Sequence, residues 1–119
     1  MSGQANEADM NWRFILPALA LTATLAQAAP SEGQALYVKN CASCHGQKGL
    51  GDGPAAAAFD KKPGNLAEPE YKRGTTDKQV LKVITKGVPG TAMAPFGDKL
   101  NETERQALVD YLKVLRGAR

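Results

Sequence analysis

Residues 41–45 read Cys41-Ala42-Ser43-Cys44-His45, and the rest of the chain is best read outward from them. Two thiols about one helical turn apart can add to the two vinyl groups along one side of a porphyrin. The adjacent imidazole then reaches the iron from one face, so the motif is the pattern for one covalent haem c, held through Cys41 and Cys44 with His45 as proximal ligand. Rival chemistries fit poorly. A closed zinc site wants four ligands, and His45 is the only histidine of the chain. A thioredoxin-like redox pair belongs in a βαβ setting, which the pattern of helices and loops lacks. A Cys41–Cys44 disulfide would close a very small loop, add little stability and leave His45 without a role.

The second axial ligand follows by elimination. Of the three methionines, Met1 and Met10 precede the domain, which leaves Met93. It lies in the loop Gly90-Thr91-Ala92-Met93-Ala94-Pro95-Phe96, where glycine and proline favour an extended path that can present sulfur to the opposite haem face. A soft thioether favours ferrous iron and raises the potential relative to a second imidazole. The competing reading is a methionine that fills core space. The expected metal ligands are therefore His45 and Met93.

Around the motif the pattern is helical, with no strand-like alternation of useful length. Ser31 and Gln34 make a capping box for a first helix over 32–42, whose Gly33, Tyr37 and Cys41 share one face. Thr76 and Gln79 cap a middle helix over 77–86, with Val80, Leu81 and Ile84 inward and Gly87 at its end. Asn101 and Glu104 start the last helix, where Leu108, Tyr111, Leu112 and Leu115 form a stripe and Gly117 follows. Residues 46–75 are dense in glycine and proline, which leaves room only for a turn or two after Pro54. A loop of that length in a small domain has a functional cause, and wrapping a cofactor is such a cause.

Two domains of unequal kind are expected. Residues 1–28 carry Arg13, the apolar run Phe14 to Leu25 and the small-residue end Ala26-Gln27-Ala28, the order of a secretory signal. The run is shorter than the roughly 18 residues of a spanning helix, so a retained anchor is the lesser alternative. Glu7 and Asp9 are out of place there, and a true start at Met10 or a tolerated long leader accounts for them. Residues 29–119 then form the haem domain in the periplasm, with no membrane span. The formal charge of +3 becomes one unit more positive once Arg13, Glu7 and Asp9 are removed. Scattered basic residues and few aromatics argue against a nucleic-acid partner. With only two cysteines a multi-disulfide framework is excluded, and a large planar cofactor is what fills so small a core.

With these residues in view, the chain resembles the class I c-type cytochromes over residues 29–119. The shared features are Gly33-x-x-Leu36-Tyr37 leading into Cys-x-x-Cys-His, the loop Gly49-Leu50-Gly51-Asp52-Gly53, the late methionine loop and the final Tyr111-Leu112 helix. The resemblance implies an all-α, cytochrome c-like fold of three to four short helices with long loops wrapped around one haem. In it the first and last helices cross, with Gly33 and Tyr37 meeting Leu108 and Tyr111. It also implies a proline carbonyl that accepts the Nδ1 proton of the proximal histidine, here from Pro54 or, less favoured by distance along the chain, Pro63. Met93-Ala94-Pro95 departs from relatives in which proline directly follows the methionine, which puts the loop's rigidity in doubt.

Tyr71, Phe59 and Phe96 are candidates for the haem crevice or for general core. Lys61, Lys62, Lys72 and Arg73 either ring the haem edge toward an acidic partner or are solvated loop residues. Two strong-field ligands leave the iron no open position, so the expected activity is outer-sphere electron transfer between redox partner proteins by a monomer in transient complexes, not enzymatic turnover. The alternatives are a haem-based ligand sensor or small peroxidase with a displaceable methionine, and a haem subunit of a larger oxidoreductase.

Overall fold

Each of the three capping signals starts a helix. The structure, a computed structural model, describes residues 18–20 and 31–117, so the expected export signal over 1–28 lies outside the described residues except at 18–20. The Ser31 hydroxyl accepts from the Gln34 amide at 3.1 Å and opens α1 (Glu32–Asn40). Thr76 with Gln79 and Asn101 with Glu104 form reciprocal capping boxes for α3 (Asp77–Lys86) and α4 (Glu102–Leu115). Between them lie a single turn, α2 (Ala42–His45), and a 3₁₀ turn at Ala56–Ala58 in the Pro54-alanine stretch. Among the described residues there is no strand. The all-α architecture is therefore as expected.

The first helix ends sooner than the expected 42. Cys41 leaves helical geometry at φ −122°, and the chain restarts one residue later as α2. Just before the break, the Asn40 side-chain amide donates to the Leu36 carbonyl at 2.9 Å, the kind of local competition for helix carbonyls that asparagine offers. The two cysteines thus stand at the start and near the end of a separate turn.

The core forms where α4 packs on α1. Gly33 is buried, and a Cβ there would overlap the Ala107 carbonyl and come 2.9 Å from the Tyr111 Cβ, so only glycine permits this approach. One turn on, Tyr37 has no exposed surface, and its ring lies 5.3 Å from that of Tyr111 at 55°. Leu108, Val109 and Leu112 are buried on α4, and Val80 and Ile84 on α3. Val109 falls outside the stripe read from the sequence. Its burial follows from α4 packing against α3 as well as α1, which demands an apolar face wider than one stripe. Leu81 and Tyr111, by contrast, are only partly buried at the edge of the core. An exposed Lys113–Asp77 ion pair of 2.7 Å also links α4 to α3, and pairs of this kind add little stability.

Replacing Gly33 with alanine forces α1 away from α4. The expected cost is about 1–3 kcal/mol, the range for overpacked cores, read as a lower urea midpoint of the haem-loaded protein.

Candidate haem site

Helix α2 is too short to satisfy its own carbonyls, and the glycine-rich loop that follows does this instead. The amides of Gly51, Gly53 and Ala55 donate to His45, Cys44 and Ser43 at 2.8, 3.0 and 2.9 Å. Gly46 closes the turn by donating to Ala42 at 2.8 Å. Gly51 has φ +80°, and Gly53 lies so close to the Ser43 and Ala42 carbonyls that a Cβ would collide with them. The Gly49–Gly53 pattern is thus a lid of backbone donors on the turn that carries Cys44 and His45.

From the other side the turn is held by Tyr37. Its hydroxyl donates to the Gly46 carbonyl at 2.7 Å, within the core. Burial pushes its phenol well above the ordinary range, so it stays a donor at any physiological pH. Sequence reading assigned Tyr37 to the helix crossing and missed this second role, because the partner is a backbone atom nine residues away.

The imidazole of His45 is fixed by neither proline. Its Nδ1 lies 3.0 Å from the carbonyl oxygen of Gly64, the residue after Pro63. A carbonyl can only accept, so Nδ1 carries the proton and Nε2 keeps its lone pair. Pro54 does not serve because its segment lies along the flank of α2 formed by Ala42 and Ser43, where it lines a groove with Val38 and Leu50. Burial disfavours the imidazolium and lowers the His45 pKa, with the Gly64 contact opposing that shift.

Cys41 and Cys44 are both half-buried, free thiols. Burial, reinforced by the neighbouring Cys44, pushes Cys41 up to about 11, so it is a thiol and not a thiolate at neutral pH. Met93 sits in a loop fastened at both ends to the last turn of α3. Gly87 caps that helix at φ +66°, and Phe96 and Gly97 donate back to Ile84 and Thr85 at 2.9 and 3.0 Å. Within the loop the Val88 amide donates to the Met93 carbonyl at 3.0 Å, and Met93 is half-buried.

The aromatic and basic candidates divide. Tyr71 and Phe96 pack against the core, and the Tyr71 hydroxyl donates to Leu66 at 2.8 Å beneath the Arg116 guanidinium, 4.9 Å from its ring. Lys61 and Lys62 are tied to backbone carbonyls, of Gly90 at 3.3 Å and Ala56 at 3.2 Å. Lys72 and Arg73 are exposed. Among the described residues no helix is long and apolar enough to cross a membrane.

The family model for cytochrome c oxidase, cbb3-type, subunit III matches residues 28–112. The chain belongs to this family. Membership of this cytochrome c family implies covalent haem c, and the cysteines at 41 and 44 are consistent with that attachment. Dihydro-heme d1 dehydrogenase of Pseudomonas aeruginosa is 37% identical over 93 residues, covering 77% of this chain and 17% of that protein. The cbb3-type cytochrome c oxidase subunit FixP of Azorhizobium caulinodans is 29% identical over 89 residues, 75% of this chain and 28% of that one. The chain thus spans less than a third of the length of either relative. Among solved structures, the Kuenenia stuttgartiensis reducing HAO-like protein complex Kustc0457/Kustc0458 is 36% identical with a TM-score of 0.67 over 74% of this chain and 43% of that chain. Cytochrome c6 of the diatom Phaeodactylum tricornutum shares the fold, with a TM-score of 0.56 at 23% identity over 73% of this chain and 93% of that chain. The expected likeness to class I c-type cytochromes is therefore correct.

Removing the Tyr37 hydroxyl alone tests its hold on the site. Tyr37→Phe leaves the buried Gly46 carbonyl with the Gly49 amide at 3.1 Å as its remaining donor, and the expected loss is about 0.5–1.5 kcal/mol in urea unfolding, with the aromatic packing unchanged.

Proposed function

We propose that this domain is a single-electron carrier whose haem c is bound through Cys41 and Cys44, with His45 and Met93 as the axial ligands. The observation that carries the reading is the Gly64 carbonyl on Nδ1 of His45. It selects the tautomer whose Nε2 is the free donor and holds the ring against rotation, the usual support for a metal-bound imidazole. The donor set fits the cofactor: two free thiols on one turn, one imidazole of defined tautomer, and one thioether on a loop anchored to α3.

Haem c, when bound, supplies a one-electron ferric–ferrous couple. The protein's part is positional. Cys41 and Cys44 would anchor the group to α2, whose orientation is set by the Gly51, Gly53 and Ala55 amides and by Tyr37. His45 and Met93 would hold the iron, and with two protein ligands it would keep no open position for a substrate. Residues 1–28 act as the export signal and 29–119 as the periplasmic domain, since haem attachment through thiols belongs with an exported chain. A second reading has the same chemistry in a standing complex: the domain as the haem unit of a larger oxidoreductase. It is favoured by relatives in which the matching stretch is a minor part of a longer protein, one of them named as an oxidase subunit. Co-purification with a membrane or periplasmic oxidoreductase separates it from a free shuttle.

The test is optical. The exported protein is expected to keep its haem through acid-acetone extraction, to be low-spin in both oxidation states with the weak far-red ferric sulfur–iron band, and to ignore carbon monoxide. Met93→Ala is expected to abolish that band, lower the midpoint potential and admit carbon monoxide. An unchanged low-spin spectrum and potential in this variant would remove Met93 from the iron. Prompt carbon monoxide binding by the wild type would make the domain a sensor or peroxidase.

A further inference from the structure

Met93 is half-buried in its loop. Its neighbours Ala92 and Ala94 are small and exposed, and the next proline stands two residues on, at the exposed position 95. What closes the loop is a threonine. The Thr91 hydroxyl donates to the Val88 carbonyl at 2.7 Å and accepts from the Met93 amide at 3.2 Å. The Thr91 amide reaches the same Val88 carbonyl at 3.2 Å, and the Val88 amide returns to the Met93 carbonyl at 3.0 Å. Residues 88–93 therefore form a closed ring of hydrogen bonds in which the Thr91 hydroxyl is the one bridge supplied by a side chain of the segment itself, while Lys61 reaches the Gly90 carbonyl from outside at 3.3 Å. The ring rests directly on Gly87, where a Cβ would come 2.6 Å from the Met93 carbonyl oxygen.

We infer that Thr91 is the positioning residue that holds Met93 against displacement, through the hydroxyl that joins the Val88 carbonyl to the Met93 amide. This rests on the His45/Met93 reading above. A hydroxyl in this place does what a proline directly after the methionine would do by ring closure: it removes conformations in which the residue at 93 swings away. Valine has the same shape without either hydrogen bond, whereas serine keeps both. Lost hydrogen bonds of this kind amount to about a tenfold larger population of the open loop.

The experiment compares wild type, Thr91→Val and Thr91→Ser as haem-loaded proteins. It records the rate of carbon monoxide binding to the ferrous form, and follows the far-red ferric band and far-ultraviolet circular dichroism along one urea titration. The valine variant is expected to bind carbon monoxide about tenfold faster and to lose the band at urea concentrations that leave helicity intact, with serine behaving as wild type. If valine does not accumulate with haem, Thr91→Ala, which adds no branched methyl, is read in the same way. Wild-type rate and band in the variant lacking the hydroxyl overturn the inference. So does loss of band and helicity together, which would make Thr91 merely structural. A wild type that itself lacks the band and binds carbon monoxide at once fails the ligand assignment first, and is thereby distinguished from a failure at Thr91.

Discussion

Tyr37 joins two requirements that a domain of this size has to meet at once. Its ring, wholly buried, fills the crossing of α1 and α4 beside Tyr111, and its hydroxyl ends on the carbonyl of the residue after His45. The crossing can be this close only because Gly33, one turn earlier, has no side chain to meet the Ala107 carbonyl. Helix packing and the position of the ligand turn are thereby the same constraint. A shift of α4 against α1 would move the phenol, and with it Gly46 and the end of α2.

The second support is backbone chemistry. A four-residue helix cannot pair its own carbonyls, and unpaired buried carbonyls are costly. The segment 51–55 supplies the missing donors, and at Gly53 the two backbones approach too closely for a side chain. The same logic recurs at the end of α3, where the returning chain at Phe96 and Gly97 satisfies Ile84 and Thr85 and so brings the Met93 loop back to the helix. Both candidate axial residues stand on short segments whose geometry is set by helix ends finding partners. That is a way to give an irregular chain defined positions without a large core.

Much of this was legible in the sequence, and for local reasons. Capping boxes, the 3.6-residue period of α4 and the Cys-x-x-Cys-His spacing are each contained within a few residues, so the helices, the all-α class and the haem motif could be read directly. The C-terminal end of α1 was less legible, because Cys41 leaves the helix through a backbone angle that residue type does not dictate. Val109 escaped the stripe because its burial depends on a third helix lying against α4.

The sequence by itself determined which groups are available: two thiols, one histidine and one methionine beyond residue 28, with glycines where backbones must touch. Only the tertiary structure decided how those groups are held. The acceptor for Nδ1 of His45 is the Gly64 carbonyl, not that of Pro54 or Pro63, and the side-chain donor to the Gly46 carbonyl is Tyr37. In each case at least one partner is a backbone atom, which every residue carries. Sequence does not distinguish one carbonyl from the next; the path of the chain does.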